Sequence, residues 1–246
     1  MPSPAASRFK TFAKTAALAC AVVAPMWAHA QLSANVALTT NYKFRGQDQD
    51  SSRSRAVKPA LQGGFDYSFG DSGFYVGNWN SSVDWLPGNS LETDFYGGYK
   101  FKAADVDWDV GMLTYVYSGN AKGNTTEIYG SGTYGPFTAK YSHTVSEDYF
   151  GWAGTGAKGR NTGYLNLAFA HEVLPKTTLK AAVGYTRFAS GIRDQGVPNY
   201  VDYSVGVGYD FGDGVSLGAA VAGATKKDFF GDGNKARLIV TLSKTL

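Results

Sequence analysis

Apolar and polar residues alternate with period two along most of this chain, in short segments separated by turn formers. The first segment puts Leu32, Ala34, Val36, Leu38, Thr40, Tyr42 and Phe44 on one face, against Ser33, Asn35, Thr39, Asn41, Lys43 and Arg45. That alternation predicts a strand with two unlike faces. A second segment sets Val57, Leu61, Phe65, Tyr67 and Phe69 against Lys58, Gln62 and Asp66. A less regular third covers 74–83. A fourth opposes Leu91, Phe95, Tyr99 and Phe101 to Glu92, Asp94 and Tyr96. A fifth opposes Val106, Trp108, Val110, Met112 and Val116 to Asp107, Asp109 and Tyr115. Further strands are predicted at 125–134, 137–145, 163–170, 178–188, 200–211 and 215–224. A twelfth, 235–246, carries Leu238, Val240, Leu242 and Leu246 on one face. One such strand would suit a soluble sandwich. An even series of them, apolar out and polar in, is what a bacterial outer-membrane β-barrel requires.

The connections sharpen that reading. Short ones at 70–73, 102–105, 135–136, 174–176 and 212–214 alternate with longer polar ones near 46–56, 84–90, 118–124, 146–161, 189–199 and 225–234. Short periplasmic turns alternating with long outer loops follow the barrel rule, and a sandwich has no reason to sort its loops by parity. Tyr67, Phe69, Tyr99, Phe101, Tyr134, Phe137, Phe169, Tyr209 and Phe211 collect beside the short turns, as an interfacial aromatic girdle would. Closure of the first strand on the last would pair every backbone group in the hydrocarbon.

Residues 1–30 read as a secretory signal. Arg8, Lys10 and Lys14 precede an apolar stretch, Thr15 to Met26, too short to cross a bilayer, and Ala28 and Ala30 frame a cleavage site before Gln31. Cleavage leaves residues 31–246 as one all-β unit and removes Cys20, the chain's single cysteine, which suits an oxidising envelope. It also removes three cations from the 23 Lys and Arg, leaving 20 against 20 Asp and Glu. The basic balance therefore belongs to the leader, and the scattered cations of the mature chain offer no nucleic-acid footprint.

Several runs carry a family resemblance. Residues 33–46 (SANVALTTNYKFRG), 59–67 (PALQGGFDY), 73–77 (GFYVG), 91–99 (LETDFYGGY), 148–151 (DYFG) and 205–209 (VGVGY) resemble the TorF family of porin-like proteins across nearly the whole mature chain. The resemblance implies an outer-membrane location and a pore, without a defined solute. Two features depart from it. The first outer loop holds the basic run Ser51-Ser52-Arg53-Ser54-Arg55. The chain also ends on Leu246, after Lys244, where barrel-assembly signals favour a terminal Phe.

If the apolar faces meet lipid, the alternate faces line a lumen. Lys43, Arg45, Lys58 and Arg237 fall on strands that become neighbours on closure. Glu92, Asp94 and Glu127 fall on the opposite arc, with Asp107, Asp109, Lys140 and Lys180 deeper and Asp202 near the outer end of its strand. These positions predict a basic wall facing an acidic wall across a narrow channel, a device that sets ion selectivity. The competing expectation is that the charges pair and fill the lumen, since small barrels fill with side chains while larger ones conduct.

Catalytic patterns are weak. His143 falls on the lipid-facing parity, where a barrel phospholipase could place a base, but position 145 is Val and Leu165 and Leu167 face outward beside it. His171 adjoins a short turn. Asp84, Asp148 and Asp202 at the outer rim have no histidine placed to partner them. No His or Cys pair has metal-ligand spacing, no cofactor motif is present, and Asp48, Asp50, Asp228 and Asp232 read as solvated loop acids before they read as contacts to a lipopolysaccharide-bridging cation. The sequence thus predicts a passive outer-membrane channel for ions or small hydrophilic solutes. Its partners would be outer-membrane lipid, lipopolysaccharide and the barrel assembly machinery. A non-conducting surface barrel is the alternative, and a barrel-embedded hydrolase a distant third. Whether protomers form a homo-oligomer, and whether the 146–161 loop folds inward, stay open.

Overall fold

The computed structural model describes residues 32–51, 57–152 and 156–246. The predicted signal segment and the basic run from Ser52 to Arg55 lie outside the described residues. Twelve barrel strands run through the described residues: β1 (Leu32–Thr39), β2 (Ala60–Ser68), β3 (Phe74–Ser82), β4 (Leu91–Ala103), β5 (Val106–Ser118), β6 (Thr125–Tyr134), β7 (Phe137–Thr144), β8 (Gly163–Leu174), β9 (Thr177–Arg187), β10 (Tyr200–Gly212), β11 (Val215–Ala224) and β12 (Arg237–Thr245). Each pairs antiparallel with its sequence neighbours. β1 closes the sheet on β12 through the register Asn35–Thr245 to Thr39–Thr241. The fold is the closed antiparallel barrel that the alternation predicts. β8 runs four residues beyond its predicted end, with a bulge between Glu172 and Leu174.

Residues of the apolar parity form the exposed outer surface: Leu38, Leu61, Phe65, Phe95, Met112, Ile128, Leu167, Val205 and Leu242 among them. The opposite parity points inward, where Gln62, Ser81, Glu92, Glu127, Ser142, Thr186 and Asp202 are buried. A soluble protein would reverse that distribution. Aromatic rings pair beside the short turns: Tyr67 with Phe69, Tyr99 with Phe101, Phe101 with Trp108, Phe137 with Phe169 and Tyr209 with Phe211.

Inside the wall, tyrosines lie over glycines of adjacent strands. A side-chain carbon at Gly77 would sit 2.3 Å from the Tyr96 ring, and one at Gly98 would sit 2.7 Å from the Tyr75 hydroxyl. Both are directly paired in the β3–β4 register. The missing Cβ atoms let the rings lie flat on the wall, which keeps them from standing across the lumen.

One prediction fails at β1. The strand stops at Thr39, Thr40 still bonds Val240 and Lys58, and the chain beyond it turns into the barrel. Lys43–Phe44 and Gln47–Asp48 form a two-stranded inner hairpin around Arg45-Gly46, both with positive φ (47° and 75°). Glycine tolerates that conformation, and a Cβ at Gly46 would lie 2.6 Å from Asp202 Cβ. Lys43 and Arg45 are therefore not wall residues, and Tyr42 and Phe44, read as lipid-facing, are inside.

Candidate functional site

The inner hairpin packs into the lumen at the end bearing the long loops. Phe44 meets Tyr115 of β5 edge-on at 5.4 Å and Phe150 at 5.3 Å. Phe150 and Tyr149, from the segment before Gly151, also turn inward: Tyr149 packs on Phe188, and both join a buried cluster with Ile192, Val197 and Tyr200. A second cluster joins Tyr42, Val83, Tyr115 and Tyr117, with Trp79, Trp85 and Leu113 against it.

Arg45 occupies the hairpin tip. Its Nη1 and Nη2 donate to Glu127 Oε1 at 2.9 Å and Oε2 at 2.6 Å, and Nη1 also donates to Tyr149 Oη at 3.1 Å. The guanidinium lies over the Tyr164 ring at 4.2 Å and the Phe44 ring at 4.8 Å. A planar, weakly hydrated cation suits a bidentate carboxylate and aromatic faces at once. At the hairpin base, Asp48 takes both Lys43 (2.9 Å) and Arg237 (2.6 Å), and Lys43 Nζ donates to Gly46 O and Gly233 O. Burial pushes the Lys43 ammonium below the usual lysine range, against the opposing pull of Asp48. Lys58 stands 4.0 Å from Asp50.

The predicted basic wall is therefore largely neutralised by the acids of its own loop. Asp48, read as a solvated loop acid, is a buried counter-ion. The predicted transverse field is replaced at this level by ion pairs, because Arg45 crosses to Glu127. The acidic side is less fully paired. Glu92 and Asp94 sit two residues apart on β4, opposite Tyr117 and Tyr115 in register, and both are buried. Tyr42 Oη donates to Glu92 Oε1 at 3.2 Å, and Tyr115 Oη donates to Glu127 Oε2 at 3.5 Å. Asp202 accepts from Tyr164 Oη at 3.1 Å.

Toward the short-turn end the interior is looser. Tyr75 Oη donates to Asp109 at 2.6 Å and also meets Tyr129, while Tyr96 Oη donates to Asp66 at 2.7 Å. Lys140 stands over the Tyr129 ring and Lys100 over the Tyr75 ring, each at 4.0 Å. Lys180 has the inward parity of β9 and is half-buried. Asp107 is exposed at the rim, 4.0 Å from Lys102. Of the sequence-predicted site residues, the structure brings Arg45 to Glu127 and Lys43 to Arg237. It leaves Asp107 and Lys180 apart from that group.

On the outer surface His143 lies between Tyr141 Oη (3.3 Å from Nδ1) and Asn161 Oδ1 (3.2 Å from Nε2). An amide and a phenol hold this ring, and neither is the activated hydroxyl that acyl transfer uses. Among the described residues no group of three His, Cys, Asp or Glu side chains is close enough to hold a metal ion.

Residues 25–245 match the model of a family described as a bacterial protein of unknown function, Gcw_chp. No curated protein matches the chain in sequence. Two solved structures share its architecture. The KdgM porin, determined in complex with disordered oligogalacturonate, is 11% identical with a TM-score of 0.54, over 87% of this chain and 97% of that one. The NanC porin is 10% identical with a TM-score of 0.56, over 87% of this chain and 98% of that one. At such identity the likeness is one of fold.

Proposed function

We propose that this chain, which belongs to the Gcw_chp family of bacterial proteins, is an outer-membrane channel for ions and small hydrophilic solutes. The observation that carries the reading is the inversion of burial: a closed barrel exposing leucine, valine and phenylalanine outside while enclosing carboxylates, amides and hydroxyls. Such a surface is stable against acyl chains, and a closed barrel leaves no unpaired backbone in hydrocarbon. KdgM and NanC, both porins, share the fold, and the sequence resemblance to the TorF family points the same way. The long-loop end would face outward among lipopolysaccharide, and the barrel assembly machinery would insert the chain after removal of the leader.

In this reading the lumen is lined by Glu92, Asp94, Glu127, Lys140, Lys180, Asp202, Arg237 and Lys58, with Asp107 at the inner mouth. The inner hairpin, carrying Lys43 and Arg45, is the constriction. A porin of this kind produces discrete conductance steps when purified protein is added to a planar bilayer. A second reading, a barrel that does not conduct, draws on the packing of the hairpin with Tyr149 and Phe150. Silence of both the wild type and an Arg45→Ala variant, with each shown to be inserted and folded, would decide for it.

A further inference from the structure

The acidic group at the constriction contains an internal example of what it binds. Arg45 presents a guanidinium to Glu127 between two ring faces, with a tyrosine hydroxyl alongside. Glu92 and Asp94 are the neighbouring carboxylates on the same inner surface. Glu92 Oε2 and Asp94 Oδ1 are buried with no hydrogen-bond partner, although Glu92 is 0% exposed. The Tyr117 hydroxyl, 3% exposed, lies across from Glu92 in register. Arg45 directs Nη1 and Nη2 to Glu127, and Nη1 also to Tyr149, rather than to Glu92 or Asp94. Buried carboxylates are retained when a cation or donors meet them.

The surroundings suit an organic cation. Tyr42, Tyr115 and Tyr117 supply ring faces and hydroxyls, and aromatic faces attract ammonium and guanidinium groups by their quadrupoles. Tyr42, whose hydroxyl donates to Glu92, also lines a cavity of about 210 Å³ together with Asn41, Asp48, Gln49, Lys58 and Ser82. A water takes ~30 Å³ of liquid, so this space admits a small organic ion rather than a lone solvent molecule.

We propose that Glu92 and Asp94, with the tyrosines around them, form a binding site for small organic cations bearing ammonium or guanidinium groups, and that such cations are the channel's preferred solutes. Arg45 is then a tethered occupant of the adjoining subsite at Glu127. A cationic solute competing there would loosen the hairpin as it passes. The inference rests on the channel reading for transport, whereas the binding site stands independently of conduction.

Two measurements on the full-length mature protein separate these. In planar bilayers under a potassium chloride gradient, the reversal potential should show cations passing about tenfold more readily than chloride. Under bi-ionic conditions guanidinium should exceed potassium. Glu92→Gln with Asp94→Asn should reduce the preference at least about fivefold while conductance persists. Anion preference, or a reversal potential that the double variant leaves unchanged, overturns the solute assignment. The second measurement is thermal unfolding in detergent with millimolar agmatine, a guanidinium–ammonium dication, against uncharged butanediol. Agmatine should raise the wild-type melting temperature and butanediol should not, because a ligand of the native state stabilises it. A silent but agmatine-stabilised protein would sink the channel and keep the site. No agmatine shift would sink the site, without recourse to any variant that fails to fold.

Discussion

Arg45 concentrates several costs in one residue. It holds a positive φ without being glycine, and it carries a full charge into a buried setting. Glu127, Tyr149, Tyr164 and Phe44 offset those costs together. Removing one partner of a buried ion pair leaves the other uncompensated, a loss of about 3–5 kcal/mol. Glu127→Gln should therefore lower the unfolding free energy of the micelle-bound protein, read from urea titration, by about 3–5 kcal/mol and increase single-channel conductance by freeing the hairpin. Replacing both partners with apolar residues (Arg45→Met with Glu127→Leu) should recover most of the stability, since the double change removes both charges at once. A double variant as unstable as the sum of the single ones would show that the pair is not coupled.

At the scale of elements, the wall depends on glycine wherever a tyrosine lies across it. A Cβ at Gly98 would come within 2.5 Å of the Val110 carbonyl oxygen as well as the Tyr75 hydroxyl, whereas at Gly130 the nearest atom is 3.9 Å away. Gly98→Ala should reduce the yield of folded, heat-modifiable barrel on gels, and Gly130→Ala should leave it unchanged. Equal behaviour of the two would refute this account of the wall. β4 was legible from sequence for all but its last two residues, because Leu91, Phe95, Tyr99 and Phe101 meet one medium and Glu92, Asp94 and Tyr96 another. β1 was legible only as far as Thr39. The inner hairpin is itself extended, so Tyr42 and Phe44 alternate with Lys43 and Arg45 just as wall residues do. Period two reports backbone conformation, and it cannot say that both faces lie inside. The Asp48–Arg237 contact, 189 residues apart in sequence, left no local trace at all. Nor did the inward fold of Tyr149 and Phe150, whose aromatic character suited a rim equally well.

For the whole molecule, the decisive property is which side of the sheet meets which solvent. Met112 lies near the middle of β5 on the outer face and is 54% exposed. A charge there should cost about 2–4 kcal/mol in a bilayer, near its midplane. Met112→Arg should accordingly fold less completely into phosphatidylcholine vesicles, and the deficit should shrink for arginine placed at the Leu32 end of the outer face. Indifference to position would mean that the outer band does not contact lipid.

The seam between β1 and β12 joins the earliest and latest strands of the chain. Arg237 and the Gly233 carbonyl, which anchor Asp48 and Lys43, arrive with that last segment. The hairpin that narrows the lumen therefore takes part of its footing from the segment that completes the cylinder. Biogenesis and constriction are linked: the width of the passage is set by the same stretch of chain that makes the seam.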